Sequence, residues 1–355
     1  MLNNEYYLWG AGTYGARVIE FMRKDLVFKA VIDSDLNKQG KMFCGIPTIS
    51  YEEAKVFLPK DKIVIAASIP RYVRKFLADA GYIQNQDFYT LFQFIPRYYW
   101  EKNKLAVQNI NIVATTKCNM HCDGCQSYQH ISKRNIHFDE EKVINDFNFF
   151  FKYIDFVINI PICCGESLLN AEAVAKTCSY VYKNFSGRYH TLSVVTNGSI
   201  IPDDELMRSF AESKTEFSIS NYPKHTRSRE MLIEKCTKFN VPYLSNTTCE
   251  VNNWHDLGNP HILAIDNPSQ LKDGCWTVAQ GLHDGWLYMC SAQMFAQEVA
   301  GIGEISPGDA FDLRKPVSKK TREELYKVIS AQPEAGFISH CRRCNGVLTP
   351  LTVSR

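Results

Sequence analysis

Residues 110–125 read INIVATTKCNMHCDGC, an apolar, β-branched run followed by three cysteines. The run favours a buried strand, and the cysteines would then stand in the loop at its C-terminal end. Thiolates select soft metal centres such as iron–sulfur clusters, zinc or copper(I). A closed zinc site takes four protein ligands, whereas a 4Fe–4S cluster that keeps one iron open needs three. The loop supplies three thiols with the spacing C-x3-C-x2-C: Cys118, Cys122 and Cys125.

Other interpretations of this loop stay open. His121 or His130 could complete a zinc knuckle, and a short cysteine motif can also arise by coincidence. The loop nevertheless resembles the signature of the radical S-adenosylmethionine (radical SAM) family. The resemblance implies a 4Fe–4S cluster on Cys118, Cys122 and Cys125, with S-adenosylmethionine (SAM) bound at the open iron.

The composition excludes several classes of protein. The chain has 355 residues and a formal net charge of +2, so no strong field attracts nucleic acid or an anionic membrane. The N-terminal residues MLNNE show no signal-peptide pattern, and no apolar run approaches the ~20 residues of a membrane span. Thirteen cysteines in such a chain indicate metal ligands or buried residues rather than disulfides. The sequence therefore predicts a soluble, cytoplasmic protein.

Residues 1–92 are predicted to form a Rossmann-like parallel sheet, because strand and helix patterns alternate there. A strand leads into a Gly-x-Gly-x-x-Gly turn, and an amphipathic helix follows. In this setting Gly10, Gly12 and Gly15 let the backbone and the helix N-terminus approach a phosphate closely. Asp33 ends the next strand at the distance expected for a ribose contact. These four residues predict a site for a nucleotide or nucleotide sugar.

The same region resembles the N-terminal nucleotide-sugar-binding domain of bacterial sugar acyltransferases. The matching segments are WGAGTYG at 9–15, IDSD at 32–35 and GIP at 45–47. The resemblance implies a nucleotide diphosphate sugar rather than NAD, while a domain that serves only for packing or dimerisation stays open. Residues 93–107, rich in aromatic and charged side chains, are expected to form a linker.

From residue 108 strand and helix alternate again, and residues 108–268 are predicted to form a partial (β/α)6 barrel. Ligands of such folds lie at the C-terminal ends of the strands. CCGES at 163–167 follows the second strand and resembles the Gly-Gly-Glu motif of radical SAM enzymes, with Cys164 replacing the first glycine. TNG at 196–198 follows the third strand. The resemblance implies a SAM site built from Gly165, Glu166, Ser167, Asn197, Ser218 and Ser220.

The chain departs from the radical SAM pattern in two places. Family members usually carry an aromatic residue before the third cysteine, where it helps to hold adenine, and this chain has Gly124. No adenine-binding motif is evident on a fifth strand either. The residues that contact adenine are therefore unassigned.

Four further cysteines stand near the C-terminus: Cys275, Cys290, Cys341 and Cys344. Asp284-Gly285 predicts a hairpin turn, with residues 286–290 as its second strand. By spacing, four thiolates on a hairpin and a later C-x2-C suit a zinc ribbon and a 4Fe–4S cluster equally well. The pattern resembles the twitch domain, a shortened SPASM domain. This implies one auxiliary 4Fe–4S cluster in a small α+β domain at 269–348, before a tail at 349–355.

Together these resemblances imply an α/β radical SAM enzyme with SAM and two 4Fe–4S clusters. Twitch-domain relatives include an aminocyclitol dehydrogenase of an aminoglycoside pathway. Oxidation of an alcohol on a carbohydrate or nucleotide sugar is therefore favoured over epimerisation or dehydration, in glycan or antibiotic biosynthesis. A flavodoxin or ferredoxin would supply electrons. The sequence assigns no catalytic acid or base.

Three other functions remain to be weighed. A peptide-modifying or enzyme-activating radical SAM protein would carry a peptide-gripping winged helix, and residues 5–92 show no such pattern. An NAD-dependent dehydrogenase with structural zinc would use the glycine turn and one cysteine set, but it would leave the loop at 118–125 without a role. A non-catalytic metal scaffold is the third alternative.

Overall fold

The computed structural model describes residues 5–58, 61–67, 70–132, 134–245, 254–255, 257–263, 265, 279–302, 305–331, 337–345 and 350–351. The chain divides into two compact units, Met1–Asn103 and Lys104–Arg355. Each unit contains a mainly parallel sheet with helices, which confirms the α/β class. Among the described residues, no helix has the length and apolar character needed to cross a bilayer.

The first unit contains a six-stranded sheet in the order β3-β4-β2-β1-β5-β6. Its strands are β1 (Glu5–Trp9), β2 (Val27–Ile32), β3 (Met42–Phe43), β4 (Ile46–Ile49), β5 (Lys62–Ile65) and β6 (Phe88–Thr90). Its helices are α1 (Thr13–Met22), α2 (Tyr51–Ala54), α3 (Pro70–Asp79) and α4 (Leu91–Trp100). All strand pairs are parallel except β3–β4. The parallel sheet expected for residues 1–92 is present.

The expected linker at 93–107 differs from the structure, which places most of it in helix α4 of the first unit. The helix begins at a capping box between Thr90 and Gln93. Phe94 and Tyr98 are one turn apart and buried, and the Tyr98 hydroxyl donates to the Asp25 carbonyl at 2.6 Å. The aromatic residues therefore form the apolar face of a helix.

The second unit contains an eight-stranded sheet in the order β11-β10-β9-β8-β7-β13-β14-β15. Its strands are β7 (Ala106–Val113), β8 (Phe156–Cys163), β9 (Tyr189–Thr196), β10 (Glu216–Ile219), β11 (Tyr243–Ser245), β13 (Gln280–His283), β14 (Trp286–Tyr288) and β15 (Ala310–Asp312). A separate antiparallel pair joins β12 (Trp254–His255) to β16 (Pro350–Leu351). The helices are α5 (Glu140–Tyr153), α6 (Ala171–Phe185), α7 (Asp204–Glu212), α8 (Thr226–Phe239), α9 (Ser291–Glu298) and α10 (Lys319–Ile329).

The strands from β11 to β13 run parallel, which brings their C-terminal ends to one edge of the sheet. The central strands β7 and β8 are almost continuously buried, as expected for a sheet covered on both faces. Helix α5 covers part of this sheet with Val143, Phe147 and Phe150, which follow the helical repeat. The parallel α/β architecture is confirmed, and its curvature into a barrel stays a prediction.

The predicted hairpin is present, but it does not form a separate sheet. Strands β13 and β14 pair with His283 opposite Trp286, around the Asp284-Gly285 turn. Strand β13 also pairs in parallel with β7, where Gln280 lies opposite Ile110. Strand β7, which leads into the cysteine loop, therefore has β8 on one side and β13 on the other. The domain boundary expected at residue 269 thus does not separate the hairpin from the central sheet. The physical reason is that β7 would otherwise be an apolar edge strand.

One buried carboxylate holds this hairpin against helix α5. Asp146 accepts hydrogen bonds from the backbone N–H groups of Asp284 at 3.0 Å and Gly285 at 2.6 Å. Burial raises the pKa of Asp146, and the two backbone hydrogen bonds oppose that rise. The carboxylate thus satisfies two donors of a tight turn that are otherwise removed from water.

We expect Asp146→Ala to lower the free energy of unfolding by about 2–4 kcal/mol, because it leaves two buried N–H groups without a partner. Urea denaturation of the whole chain followed by circular dichroism measures the effect. Asp284→Asn is the matched control, since it changes an exposed carboxylate of the same turn and should alter stability by less than about 0.5 kcal/mol. Equal losses in the two variants would contradict this account of the turn.

Candidate functional site

The cysteine loop leaves the C-terminal end of β7 through two backbone contacts with the segment before α5. The N–H of Thr116 donates to the carbonyl of Ile136 at 2.9 Å, and the N–H of Phe138 donates to the carbonyl of Ala114 at 3.1 Å. These contacts position the residue that precedes the first cysteine, Lys117. Backbone hydrogen bonds on both sides of Thr115 therefore hold the chain in place just before Cys118, the first cysteine of the loop.

The three cysteines of the loop lie together as the sequence predicts. They form a small cluster in which Cys122 is buried and Cys118 and Cys125 are partly buried. A turn from the Cys122 carbonyl to the Cys125 N–H, 3.2 Å long, brings the second and third cysteines to the same side. Met120 donates its N–H to the Cys118 Sγ atom at 3.4 Å, a contact that favours the thiolate.

Burial raises the pKa of Cys118 to about 11, and it also raises the pKa of Cys122 and Cys125. Three adjacent thiolates therefore need a cationic partner, and bound iron would provide it. Within the described residues, no group of three or more His, Cys, Asp or Glu side chains is arranged to hold a metal ion. The loop supplies three thiol donors, which is the number that a 4Fe–4S cluster with one open iron would use.

The CCGES segment after β8 packs directly on the cysteine loop. The N–H of Glu166 donates to the Lys117 carbonyl oxygen at 2.8 Å. A Cβ atom added to Gly165 would lie 2.1 Å from that same oxygen, and Gly165 has φ +57°. Cys164, which replaces a glycine of the motif, keeps a glycine-like φ of 87°. Both residues therefore have backbone angles that favour glycine.

Glu166 is fully buried and joins three strand ends. Its carboxylate accepts from the Thr196 hydroxyl at 2.7 Å, from the Asn197 N–H at 2.6 Å and from the Leu168 N–H at 3.0 Å. Burial raises its pKa, and these three hydrogen bonds counteract the rise. A carboxylate has about four acceptor positions, and these hydrogen bonds occupy three of them.

The other residues predicted to bind SAM lie on several loops and differ in the hydrogen bonds that they form. Asn197 donates from Nδ2 to the Asn119 side chain of the cysteine loop at 2.8 Å, so the structure brings these two loops together. The Ser167 hydroxyl donates to the Ile162 carbonyl at 3.2 Å, which gives it a role in closing its own turn. Ser218 is partly buried on β10, and the Ser220 N–H donates to the Thr196 carbonyl at 2.9 Å.

Sequence reasoning missed residues that complete this site. Asn119 lies between the first two cysteines, and its Nδ2 atom donates to the Ser199 hydroxyl at 2.8 Å. Tyr222 packs against the cysteine cluster from the segment after β10. In the sequence, the only indication of this role is that Tyr222 follows the end of a predicted strand. Gly124 has φ +68°, a backbone angle that glycine adopts without strain.

The described C-terminal cysteines approach the same end of the sheet. Cys344 and Cys164 belong to one apolar cluster, and Cys290 and Cys163 pack against it. Cys341 and Cys344 share a turn, in which the Cys344 N–H donates to the Cys341 carbonyl at 3.4 Å. The predicted ligand Cys275 lies outside the described residues. Three of the four predicted auxiliary ligands can therefore be placed.

The glycine turn of the first unit has the close contacts that its motif predicts. A Cβ on Gly15 would lie 2.1 Å from the Gly10 carbonyl oxygen, so Gly15 is needed for the helix to approach the turn. A Cβ atom added to Gly12 would have no neighbouring atom within 4 Å, which leaves room for a ligand. Asp33 accepts from the Ala11 N–H at 2.7 Å, so it already orders the turn before any ribose is bound.

No family model matches the chain, and no curated protein matches it by sequence. Two solved structures similar to the larger part of the chain are BtrN in complex with AdoMet and 2-DOIA and native anSMEcpe with bound AdoMet. The first is 14% identical with a TM-score of 0.43, covering 68% of this chain and 95% of BtrN. The second has the same identity and TM-score, covering 66% of this chain and 87% of anSMEcpe.

A third similar structure is UDP-D-quinovosamine 4-dehydrogenase from Vibrio fischeri. It is 21% identical with a TM-score of 0.19, covering 21% of this chain and 70% of the dehydrogenase. All three TM-scores are below 0.5, so the function of this chain has to be argued from its own residues.

We expect Gly165→Ala to destabilise the second unit by about 1–3 kcal/mol from backbone strain, because the new Cβ would collide with the Lys117 carbonyl. Urea denaturation of the whole chain measures the loss. Gly187→Ala is the matched control: open space surrounds that glycine in the same unit, so the added Cβ should change stability by less than about 0.5 kcal/mol. A Gly165→Ala protein as stable as wild type would show that the two loops need not touch.

Proposed function

We propose that this chain is a radical SAM enzyme whose Cys118, Cys122 and Cys125 hold a 4Fe–4S cluster. The observation that carries the proposal is the contact of the three-thiol loop with the Gly165–Glu166 backbone at neighbouring strand ends. Three thiol ligands would leave one iron for a cofactor, and the adjacent loop carries the motif that resembles the SAM-binding motif. When bound, the cluster would supply the electron that cleaves SAM to methionine and a 5′-deoxyadenosyl radical.

In this proposal the protein positions the cofactor and keeps water away. Glu166 would offer its remaining acceptor position to the ammonium group of the methionine moiety. Asn197 and Asn119 are already linked, so the loops that flank this position are held together. Tyr222 covers the cysteine cluster on one side and would limit access of water.

The C-terminal cysteines Cys275, Cys290, Cys341 and Cys344 are proposed to hold a second 4Fe–4S cluster. The support is that Cys290 and Cys344 contact one apolar cluster together with Cys164 of the neighbouring loop. Such a centre would accept the second electron when an alcohol is oxidised to a carbonyl, after a hydrogen atom has passed from the carbon to the 5′-deoxyadenosyl radical and with the hydroxyl proton released to solvent. The electron that starts the reaction would come from a flavodoxin or ferredoxin.

The proposed substrate is a carbohydrate or nucleotide sugar, and the proposed reaction is oxidation of one of its alcohols. The resemblance to twitch-domain dehydrogenases supports the reaction, and the glycine turn supports the substrate class. Gly12 leaves open space at the N-terminus of α1, where a diphosphate would meet the positive end of the helix dipole. The nucleotide of a nucleotide sugar is therefore proposed to bind the first unit.

We expect anaerobically reconstituted protein to contain about eight irons with matching acid-labile sulfide and to release 5′-deoxyadenosine. Cys118→Ala should contain about four irons and release none, because it removes one ligand of the first cluster only. Cys44→Ala is the control, since Cys44 is exposed in the first unit. One or two zinc ions without sulfide, or continued SAM cleavage by Cys118→Ala, would refute the radical SAM proposal.

The substrate proposal predicts that UDP-sugars raise the thermal midpoint of the protein and that NAD does not. Gly12→Val should abolish the shift, because its side chain would fill the open space beside α1. Gly187→Val is the control, since open space also surrounds that glycine in the second unit. The same UDP-sugars and their free sugars are then tested for 5′-deoxyadenosine release. If no nucleotide shifts the midpoint, the first unit has a packing role only.

A further inference from the structure

A buried hydrogen bond joins the cysteine loop to the turn that carries Cys341 and Cys344, which we call the C-terminal pair. The Tyr128 hydroxyl and the Nε2 atom of His340 lie 3.2 Å apart, although 212 residues separate them in the sequence. Their ring centroids are 6.1 Å apart in an edge arrangement. Tyr128 is 1% exposed and His340 is 5% exposed, so the bond is shielded from water. The proposed chemistry uses neither residue.

The backbone of Tyr128 is fixed to the first set of proposed ligands. Its N–H donates to the carbonyl of Cys125, the third cysteine of the loop, at 2.8 Å. Tyr128 has a left-handed backbone, with φ +57° and ψ +26°. A bulky residue is rare at these angles, and such strain persists where surrounding contacts hold it in place. The turn after Cys125 therefore fixes the direction in which the Tyr128 ring leaves the loop.

His340 belongs to the turn of the C-terminal pair. It directly precedes Cys341 in a short 3-10 helix, Ser339–Arg343. In this turn the Cys341 N–H donates to the Ile338 carbonyl at 3.0 Å, and the Cys344 N–H donates to the Cys341 carbonyl at 3.4 Å. A displacement of His340 would therefore displace both cysteines, because one hydrogen-bonded turn contains all three residues.

The residue after Tyr128 contacts the third loop of the site. The Gln129 Nε2 atom donates to the Cys164 Sγ atom at 3.5 Å. Tyr128, Cys164 and Cys344 also belong to one apolar cluster of buried residues. The segment at 128–129 thus links the cysteine loop both to the CCGES loop and to the turn of the C-terminal pair.

We propose that Tyr128 is a positioning residue for the auxiliary cluster, because its hydrogen bond to His340 holds the C-terminal pair beside the cysteine loop. This inference rests on the second cluster of the proposed function. A cluster needs its thiols at defined positions, since ligand distances vary little. Without the Tyr128 hydroxyl, the His340 Nε2 atom would be buried without this partner, and the turn would open more often. The two cysteines would then leave their ligating positions more often.

The first test measures how fast iodoacetamide alkylates individual cysteines of the full-length, iron-free protein, followed by mass spectrometry. Tyr128→Phe should raise the rate at Cys344 about tenfold, because this buried thiol becomes reachable when the turn opens. Cys178 is fully buried in α6 and serves as the internal reference, whose rate should stay within about twofold. An unchanged rate at Cys344, or equal rises at Cys344 and Cys178, would overturn the proposal.

Tyr153→Phe is the matched control. It also removes a buried tyrosine hydroxyl from the second unit, one that donates to two backbone carbonyls. The alkylation rate at Cys344 should stay within about twofold in this variant. If Tyr153→Phe raises that rate as much as Tyr128→Phe does, the effect is a general loss of stability and the positioning role is refuted.

A double-mutant cycle with His340→Phe tests the bond itself. His340→Phe should raise the alkylation rate at Cys344 as Tyr128→Phe does, and the combined variant should react no faster than the faster single variant, because both changes remove one hydrogen bond. Multiplied effects would contradict the proposal. If His340→Phe does not fold, the comparison of Tyr128→Phe with Tyr153→Phe still decides.

The second test follows the auxiliary cluster in anaerobically reconstituted Cys118→Ala protein, which should retain that cluster alone. Adding Tyr128→Phe should speed the transfer of its iron to EDTA about tenfold, whereas adding Tyr153→Phe should change the rate by less than about twofold. Equal rates in the two variants would overturn the positioning role. If the unmodified protein holds no cluster on its C-terminal cysteines, the function proposed for them is wrong, and the alkylation rates decide whether Tyr128 positions them.

Discussion

The contact between the Lys117 carbonyl and the Gly165–Glu166 backbone is the constraint on which the second unit's site depends. It brings the loops after β7 and β8 to hydrogen-bonding distance, which is possible because Gly165 lacks a Cβ atom. Glu166 then becomes fully buried and fixes the end of β9 through the Asn197 N–H. The Asn197 side chain donates a hydrogen bond to Asn119 of the cysteine loop, so the ends of β7, β8 and β9 are held together.

The same arrangement sets the electrostatics of the site. The thiols of the cysteine loop and the carboxyl group of Glu166 share one environment, in which burial raises each pKa. Burial disfavours the charged forms of these groups, because it removes the water that would otherwise solvate them. A bound cation would favour the charged forms, and the groups lie at the strand ends where parallel α/β folds place their ligands.

The pairing of β13 with β7 extends this arrangement to the C-terminal region. Because the hairpin continues the central sheet, Cys290 packs against the apolar cluster that contains Cys164 and Cys344. The described C-terminal cysteines are therefore neighbours of the CCGES loop, although more than 120 residues separate Cys164 from Cys290 in the sequence.

The sequence by itself determined the features that short-range rules govern: the parallel α/β class, the three-cysteine loop, the glycine turn at Gly10–Gly15 and the hairpin at Asp284. Each depends on strand patterns, backbone angles or spacings within a few residues. Only the tertiary structure decided that β13 joins β7 and that Tyr222 packs against the cysteine cluster. These outcomes depend on which faces pack together across long separations, and local sequence does not encode that choice.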